Sequence, residues 1–256
     1  MRRLLVGVVL FTFVMLAAAP AGAITFGELD GDLHPNVGAV VIEDEGQYFP
    51  ICSGTLIAPR VFLTAAHCVG DGERLWVSFD STFDQASARH AGTADAHDLF
   101  ATGGANNTYD IAVIVLDDRL ATIEPAELPE AGLLDDLKAD HELRDQTFTA
   151  VGYGTVRDDK TGGPHALQDN ADRRYALQSA LSLQKAWFQL SMQPSTDDGG
   201  TCYGDSGGPH FLGGVDSNLV VSITVTGDRF CRATDKTYRL DTTWAHEFLD
   251  DYVTLP

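Results

Sequence analysis

The sequence is poor in basic residues: 17 lysines and arginines stand against 37 aspartates and glutamates, a formal net charge of −20 at pH 7. Such an acidic chain repels the phosphates of nucleic acids and of anionic lipids, so we expect neither as a partner. Beyond residue 23 the sequence also lacks an apolar run near the ~20 residues that a membrane-spanning helix needs. The charged residues, 21% of the chain, form no long blocks, which argues against wholesale disorder.

The first 23 residues have the pattern of a signal peptide. Two arginines precede an apolar stretch over residues 4–19, and the small residues Ala21-Gly22-Ala23 follow. The apolar stretch has about 16 residues, fewer than the ~20 that cross a bilayer, which disfavours the alternative of an uncleaved anchor. Removal of residues 1–23 takes away two arginines and no acids, so the net charge becomes 15 − 37 = −22. The sequence predicts a secreted, extracellular, monomeric protein with no stable membrane association.

Cysteine is scarce, with four residues in the chain: Cys52, Cys68, Cys202 and Cys231. An even number in an exported chain favours disulfides, and four cysteines allow three pairings, among which composition does not choose. A metal site would need a tight cluster of cysteine and histidine, and Cys52 and Cys68 lack C-x-x-C spacing. We therefore expect disulfides, and neither a metal nor a cofactor.

From residue 37 onward the sequence has the pattern of short β-strands, because runs of β-branched and apolar residues are broken by Gly, Pro and Asp. These runs are 37–42, 54–57, 61–64, 75–79, 111–116, 147–152, 175–183, 187–190, 219–226 and 237–240. Residues 125–145 are acidic and contain proline, which predicts a connector, and the polar residues 155–172 predict an exposed loop. Residues 243–252 have helical spacing of apolar residues and predict one amphipathic helix. Many strands without alternating helices favour an all-β sandwich or a pair of barrels.

Three segments carry residues suited to hydrolysis. They are Thr64-Ala65-Ala66-His67-Cys68, Tyr109-Asp110-Ile111-Ala112-Val113 and Gly204-Asp205-Ser206-Gly207-Gly208-Pro209. A serine hydroxyl is a weak nucleophile that needs a base within hydrogen-bonding reach, and a histidine held by an aspartate supplies one. In these motifs, their order and their separation, the chain resembles the chymotrypsin/trypsin serine peptidase family over essentially all of residues 24–252.

The resemblance implies a fold and a catalytic centre. The fold is all-β: two antiparallel Greek-key six-stranded β-barrels over 24–128 and 145–242, a connector over 129–144, and a C-terminal helix and tail over 243–256, together one peptidase domain. His67 is the expected general base, Asp110 holds its imidazole, and Ser206 is the nucleophile that forms an acyl-enzyme with a protein or peptide substrate. The N–H groups of Gly204 and Ser206 are the expected oxyanion hole.

The resemblance also implies two disulfides, Cys52–Cys68 and Cys202–Cys231, and an activating ion pair. In the family a newly cut Ile or Val amine pairs with the aspartate before the catalytic serine, which is Asp205 here. Ile24-Thr25-Phe26-Gly27 resembles the family's IVGG start with two substitutions, and it follows the predicted signal cleavage site. We therefore expect Ile24 to pair with Asp205 once the signal peptide is removed. Cleavage after Ala21, with later trimming, is the alternative.

Four residues are expected around the substrate pocket: Gly200, Ser222, Thr224 and Lys236. Gly200 lies six residues before Ser206, where trypsins carry an aspartate, so a preference for Arg or Lys is not predicted. Ser222 matches the family's serine that supports the triad, and Thr224 a position where bulk narrows the pocket. Lys236 matches a pocket-wall glycine, where it would either favour an acidic substrate side chain or reach solvent.

Other classes of protein fit single motifs. G-x-S-x-G at 204–208 also occurs in α/β-hydrolases, but these need an acid and then a histidine after the serine, on a βαβ pattern that the sequence lacks. His246-Glu247 begins a near match to the zinc-peptidase helix H-E-x-x-H, but Asp250 replaces the second histidine. The remaining alternative is a catalytically inactive homologue that acts as a binding protein. Such proteins usually lose a triad residue or an oxyanion glycine, and none is missing here.

Overall fold

The computed structural model describes residues 24–157 and 166–256. The predicted signal peptide, residues 1–23, lies outside the described residues, as does the central part of the predicted polar loop, residues 158–165. In the two described ranges, no helix combines the length and the apolar character needed to cross a bilayer.

The described residues form fifteen short β-strands and two α-helices. The strands are β1 (Glu28–Leu29), β2 (Val37–Asp44), β3 (Gln47–Ala58), β4 (Val61–Thr64), β5 (Arg74–Ser78), β6 (His90–Ala96), β7 (Ala112–Leu116), β8 (Thr147–Gly152), β9 (Val156–Arg157), β10 (Leu167–Gln168), β11 (Arg174–Leu183), β12 (Trp187–Ser191), β13 (Pro209–Leu212), β14 (Val220–Gly227) and β15 (Thr234–Arg239). The helices are α1 (Leu133–Ala139) and α2 (Thr243–Leu249).

The first barrel closes in the order β2-β3-β4-β7-β6-β5, and every pairing in it is antiparallel. β4 is buried along its whole length, and β7 is buried at all but one position. These two strands pair side by side, with Leu63 opposite Val113. Closure leaves the barrel without a free edge, and β-branched and apolar side chains fill its interior.

The second barrel is built from β8, β11, β12, β15, β14 and β13, again all antiparallel, and the pairing of β11 with β8 closes it. β11 contributes its first half to β8 and its second half to β12, with an irregular register between Ala180 and Ser182. Such bulges let one strand turn the corner of a barrel. The predicted pair of six-stranded antiparallel barrels is therefore confirmed.

The two helices differ in how far the sequence predicted them. α2 forms within the predicted helical segment, and the Thr242 hydroxyl caps it by accepting a hydrogen bond from the Ala245 N–H at 3.2 Å. α1 lies inside the predicted connector, where no helix was expected. It begins after Gly132, whose φ of 84° is left-handed, and its Leu134 N–H donates to Asp241 Oδ2 at 2.8 Å. The predicted boundaries at residues 128, 144 and 242 stay predictions.

A buried arginine joins the amino-terminal segment to both barrels. Arg173 Nε donates to Asp30 Oδ2 at 2.7 Å, and both side chains are almost fully buried. Its Nη1 donates to the carbonyl oxygens of Val37 and Phe79, at 3.0 and 2.9 Å. His34 Nδ1 contacts the other oxygen of Asp30. Because the ion pair has so many further hydrogen bonds, it fixes the segment that follows Ile24 against the rest of the molecule.

Candidate active site

His67 lies in a single 3₁₀ turn, Ala66–Cys68, directly after β4. Its backbone N–H donates to Asp110 Oδ1 at 2.9 Å, and its ring Nδ1 lies 2.8 Å from Asp110 Oδ2. The Asp110 side chain is 6% exposed, whereas the His67 ring is 33% exposed. A carboxylate at Nδ1 holds the ring proton there, which leaves Nε2 with a lone pair directed away from Asp110.

Asp110 stands between an irregular turn and β7. Asn107 Oδ1 accepts a hydrogen bond from the Tyr109 N–H at 2.9 Å, and Tyr109 has a left-handed φ of 51°. An Asx turn of this kind reverses the chain before a strand. It brings the Asp110 carboxylate in front of His67 while the residues that follow enter the barrel core.

The serine turn packs directly against the segment that carries the histidine. The Ser206 carbonyl accepts a hydrogen bond from the Ser53 N–H at 2.9 Å. Gly207 has a φ of 78°, and a Cβ there would lie 2.2 Å from Thr64 Oγ1. Only glycine can take this conformation at this distance. The structure therefore brings Ser206 to the strand end from which His67 extends, at the seam between the two barrels.

Both disulfides have the pairing that the resemblance implied. Cys52 is joined to Cys68, 16 residues away, and Cys202 to Cys231, 29 residues away. The first bridge ties the residue after His67 to β3, and the second ties the serine loop to the turn after β14. The Cys52 and Cys68 sulfurs lie within 4.8 Å of one nitrogen of the His67 ring. Bonded to each other, they offer no thiolate to a metal ion.

Two backbone donors of the serine loop have no acceptor within residues 24–157 and 166–256. The N–H groups of Asp205, Gly207 and Gly208 donate to carbonyl oxygens of the protein, at 2.8 to 3.1 Å. The N–H groups of Gly204 and Ser206 have no acceptor among the described residues. Gly204 has a φ of 96°, a conformation that glycine adopts without strain. Two such N–H donors, on either side of Asp205 in the chain, suit the negatively charged oxygen that develops during acyl transfer.

Asp205 is a fully buried carboxylate without a cationic partner among the described residues. It accepts hydrogen bonds from the N–H groups of Gly154 and Cys202, at 2.7 and 2.8 Å. Burial, with a smaller contribution from the negative charge of Asp235, raises the pKa of Asp205 to about 7 against the opposing effect of the two backbone donors. A carboxylate in this state attracts a cation.

Ile24 lies beside the same loop. Its side chain is fully buried, and Thr25 pairs with Gly200, whose N–H donates to the Thr25 carbonyl at 2.9 Å. In the full-length chain the Ile24 nitrogen belongs to a peptide bond and carries no charge. The predicted ion pair between Ile24 and Asp205 therefore stays a prediction, with the segment already docked next to the serine loop.

A cavity of about 130 Å³ opens beside Ser206, between residues 201–203 and 224–229. Thr224, expected in the pocket, is among its lining residues, whereas Gly200, Ser222 and Lys236 are not. Another cavity is larger, about 520 Å³, but it lies between residues 138–144 and 180–183 and contains none of the motif residues. The smaller cavity is the candidate substrate pocket because it contains the serine.

The structure gives Ser222 and Lys236 other roles than those expected. The Ser222 hydroxyl is buried without a hydrogen-bond partner, and so it does not support Asp110. Thr224 is the residue that pairs with the serine turn, since its carbonyl accepts from the Gly207 N–H at 2.8 Å. The strand therefore reaches the site about two residues later than expected. Lys236 Nζ lies 4.0 Å from the centre of the Trp187 ring, on a cation–π contact outside the cavity.

A buried polar cluster behind the cavity was missed from the sequence. It comprises Gln178, His210 and Asp235, all buried, and it touches the cavity through Thr224, whose hydroxyl lies 2.9 Å from His210 Nε2. The sequence signal that could have identified Asp235 was the alternation of inward-facing and outward-facing side chains along β15. Because side chains on a strand alternate, Lys236 on the outer face requires Asp235 to face the interior.

Comparison with known proteins agrees with this geometry. The chain matches the trypsin family over residues 32–243. It is 27% identical to chymotrypsin-C of Bos taurus, covering 80% of this chain and 82% of that protein, and 28% identical to trypsin, alkaline C, of Manduca sexta, covering 83% and 86%. A solved structure of HL collagenase superposes with a TM-score of 0.66 over 88% of this chain and 96% of that chain, at 18% identity, which shows a shared fold. The chain belongs to the trypsin family of serine peptidases.

Proposed function

We propose that the protein is a secreted serine endopeptidase that hydrolyses peptide bonds through an acyl-enzyme on Ser206. The observation that carries the proposal is the double hydrogen bond of His67 to Asp110, through its backbone N–H and its Nδ1. The pair stands next to a serine turn whose Gly204 and Ser206 N–H groups have no acceptor in the described part of the chain. A hydrolase needs a nucleophile, an oriented base and donors for the oxyanion, and in this proposal Ser206, His67 and the two N–H groups supply them.

The residues act in a fixed order. His67 Nε2 takes the proton of the Ser206 hydroxyl as its oxygen attacks the peptide carbonyl, and Asp110 stays ionised and stabilises the imidazolium. The N–H groups of Gly204 and Ser206 donate to the negatively charged oxygen of the tetrahedral intermediate. The imidazolium then gives its proton to the leaving amine. Water, deprotonated by His67, then attacks the acyl ester, and the imidazolium returns the proton to Ser206 Oγ as the acid product leaves. This reaction uses no cofactor.

Activation in this proposal depends on the new amino terminus. Cleavage before Ile24 would convert its nitrogen into an ammonium group within a segment that already contacts Gly200. Asp205 lies between Gly204 and Ser206 in the chain, so an ion pair at its carboxylate holds both oxyanion donors in place. Removal of the signal peptide at this bond would therefore activate the enzyme directly. The two disulfides fit an extracellular location, and we propose that the mature enzyme is a monomer.

Hydrolysis of a peptide library tests the proposal. The chain beginning at Ile24 should cleave internal bonds of library peptides, with products identified by mass spectrometry, and the Ser206→Ala variant should cleave none. Equal cleavage by the variant would assign the activity to another group or to a contaminant. No cleavage by the correctly processed wild-type chain would favour the inactive binding homologue.

A further inference from the structure

The segment that leads to Asp110, residues 97–109, is long and largely exposed. It connects β6 to β7, and residues 101–106 are all exposed. Several of its hydrogen bonds stay within it, such as the bond from the Ala101 N–H to the Thr108 carbonyl oxygen at 2.9 Å. An exposed segment whose hydrogen bonds are local opens readily unless another part of the molecule holds it.

The end of this segment keeps a backbone conformation that its residues disfavour. Tyr109 has a left-handed φ of 51° although it carries a side chain, and such strain persists only where the surroundings maintain it. Asp110 follows directly, and its two carboxylate oxygens contact the backbone N–H and the Nδ1 of His67. Relaxation of Tyr109 would therefore turn the carboxylate away from the imidazole.

Trp187, at the start of β12 in the second barrel, contacts the segment from outside. Its indole Nε1–H donates a hydrogen bond to the Ala105 carbonyl oxygen at 3.0 Å. Within the described residues, no other hydrogen bond joins residues 97–109 to the second barrel. The bond therefore crosses from one barrel to the other, five residues before Asp110.

The indole that makes this bond is itself held in place. Trp187 is 3% exposed, so its N–H has little access to water and depends on the protein for an acceptor. Tyr238, directly opposite Trp187 in the ladder of β12 and β15, packs edge-on against the ring with the centroids 5.9 Å apart. Lys236 Nζ lies over the ring, 4.0 Å from its centre. A cation over the indole face polarises the ring, and polarised groups make stronger hydrogen bonds.

We infer that Trp187 is a positioning residue for catalysis: its indole N–H fixes the Ala105 carbonyl and thereby keeps Asp110 against His67. The inference rests on the proposed peptidase function, because Trp187 acts through the triad. Trp187 is not among the residues that line the cavity beside Ser206, so it has no direct part in substrate binding. It couples the barrel that carries the serine to the segment that carries the aspartate.

The test compares Trp187→Phe, which keeps an aromatic ring on β12 and removes the N–H, with Trp244→Phe as the matched control. Trp244 lies on α2, outside the residues that line the cavity beside Ser206. All chains begin at Ile24 and act on the library peptide that the wild type cleaves best. Trp187→Phe should lower kcat by about tenfold, the scale of one lost hydrogen bond, with KM within about threefold. Trp244→Phe should leave both constants nearly unchanged.

The pH profile separates positioning from a loss of folded protein. A carboxylate stabilises the imidazolium form of a histidine, so a carboxylate held less firmly lets the ring give up its proton at lower pH. The acid limb of the kcat/KM profile should therefore move to lower pH in Trp187→Phe, by about half a unit or more. A smaller fraction of folded enzyme would lower the whole profile without moving it.

The outcomes separate this inference from the proposed function. A kcat for Trp187→Phe close to that of wild type, or a lower kcat with an unmoved acid limb, would overturn the role of Trp187 and leave the peptidase proposal standing. No cleavage by the wild-type chain would count against the peptidase itself.

A measurement that leaves Trp187 in place guards against misfolding of its variant. In the chain beginning at Ile24 with Ser206→Ala, NMR follows the exchange of the three indole N–H protons with water. The Trp187 proton should exchange much more slowly than those of Trp76 and Trp244, which are only partly buried. Equally fast exchange at Trp187 would contradict the hydrogen bond to Ala105 and with it the inference.

Discussion

The charge state of Asp205 leads to a prediction about two forms of the chain that differ by one residue. One form begins at Ile24 and the other at Ala23, both with Ser206→Ala to prevent self-digestion. In the longer form the Ile24 nitrogen is an uncharged amide that cannot form an ion pair with Asp205, and burial raises the pKa of Asp205 from 3.8 to about 7. A difference of about 3 pKa units corresponds to about 4 kcal/mol of unfolding free energy.

The sign follows from proton binding. Between pH 3.8 and 7 the folded longer form keeps a proton on Asp205 that the unfolded chain has lost, so its stability falls as the pH rises through this range. From pH 5 to pH 7 the loss should be about 2 kcal/mol. In the form that begins at Ile24, the ammonium group lowers the pKa of Asp205 and removes this loss. The ion pair also raises the pKa of the Ile24 ammonium group above the ~8 of a free α-amino group. The stabilisation from the pair is therefore lost only in alkaline solution, where the ammonium group gives up its proton.

Urea unfolding of both forms at pH 5 and pH 7 measures the effect. The other titrating groups are common to the two chains, so the difference between their pH dependences isolates Asp205. Asp205→Asn in the longer form is the control, and it should flatten that form's pH dependence. Identical pH dependences in the two forms, or a longer form that is the more stable at pH 7, would refute the pairing of Ile24 with Asp205.

Three further predictions concern single residues. Asp110→Asn should lower kcat by about 10⁴-fold at unchanged stability, the scale found for the equivalent change in a related serine peptidase; a loss under tenfold would contradict the role of the carboxylate. Gly204→Ala should lower kcat by about 10²-fold or more, because its φ of 96° orients an oxyanion donor. Arg173→Met should cost about 3–5 kcal/mol in urea unfolding, because it leaves Asp30 buried without its cation. Arg74→Met, at an exposed ion pair, is the control and should have a much smaller effect.

The sequence was sufficient for the parts of the molecule that short motifs encode. The glycines beside Ser206 are a local requirement, and the alternation of short apolar runs with breakers is enough to indicate an all-β fold. Each of these signals lies within a few residues of the feature it predicts, so no knowledge of the rest of the fold is needed.

The errors have one cause, which is that register is a property of two strands. On β15 a shift of a single residue decides which side chain faces the interior, and the structure has Asp235 there and Lys236 against the Trp187 ring. On β14 the sequence predicted Ser222 at the site. The structure has Thr224 and the residues after it there, two positions further along the strand. The helix α1 was missed for a related reason, because its first turn is capped by Asp241 from a distant segment.

Labelling with a fluorophosphonate probe tests the central claim most directly, because the probe reacts only with a serine that its histidine has activated. The chain beginning at Ile24 should gain one adduct, which peptide mapping places on Ser206, and neither Ser206→Ala nor His67→Ala should react. No adduct on the processed wild-type chain, or an adduct that persists in Ser206→Ala, would contradict the assignment of the catalytic serine.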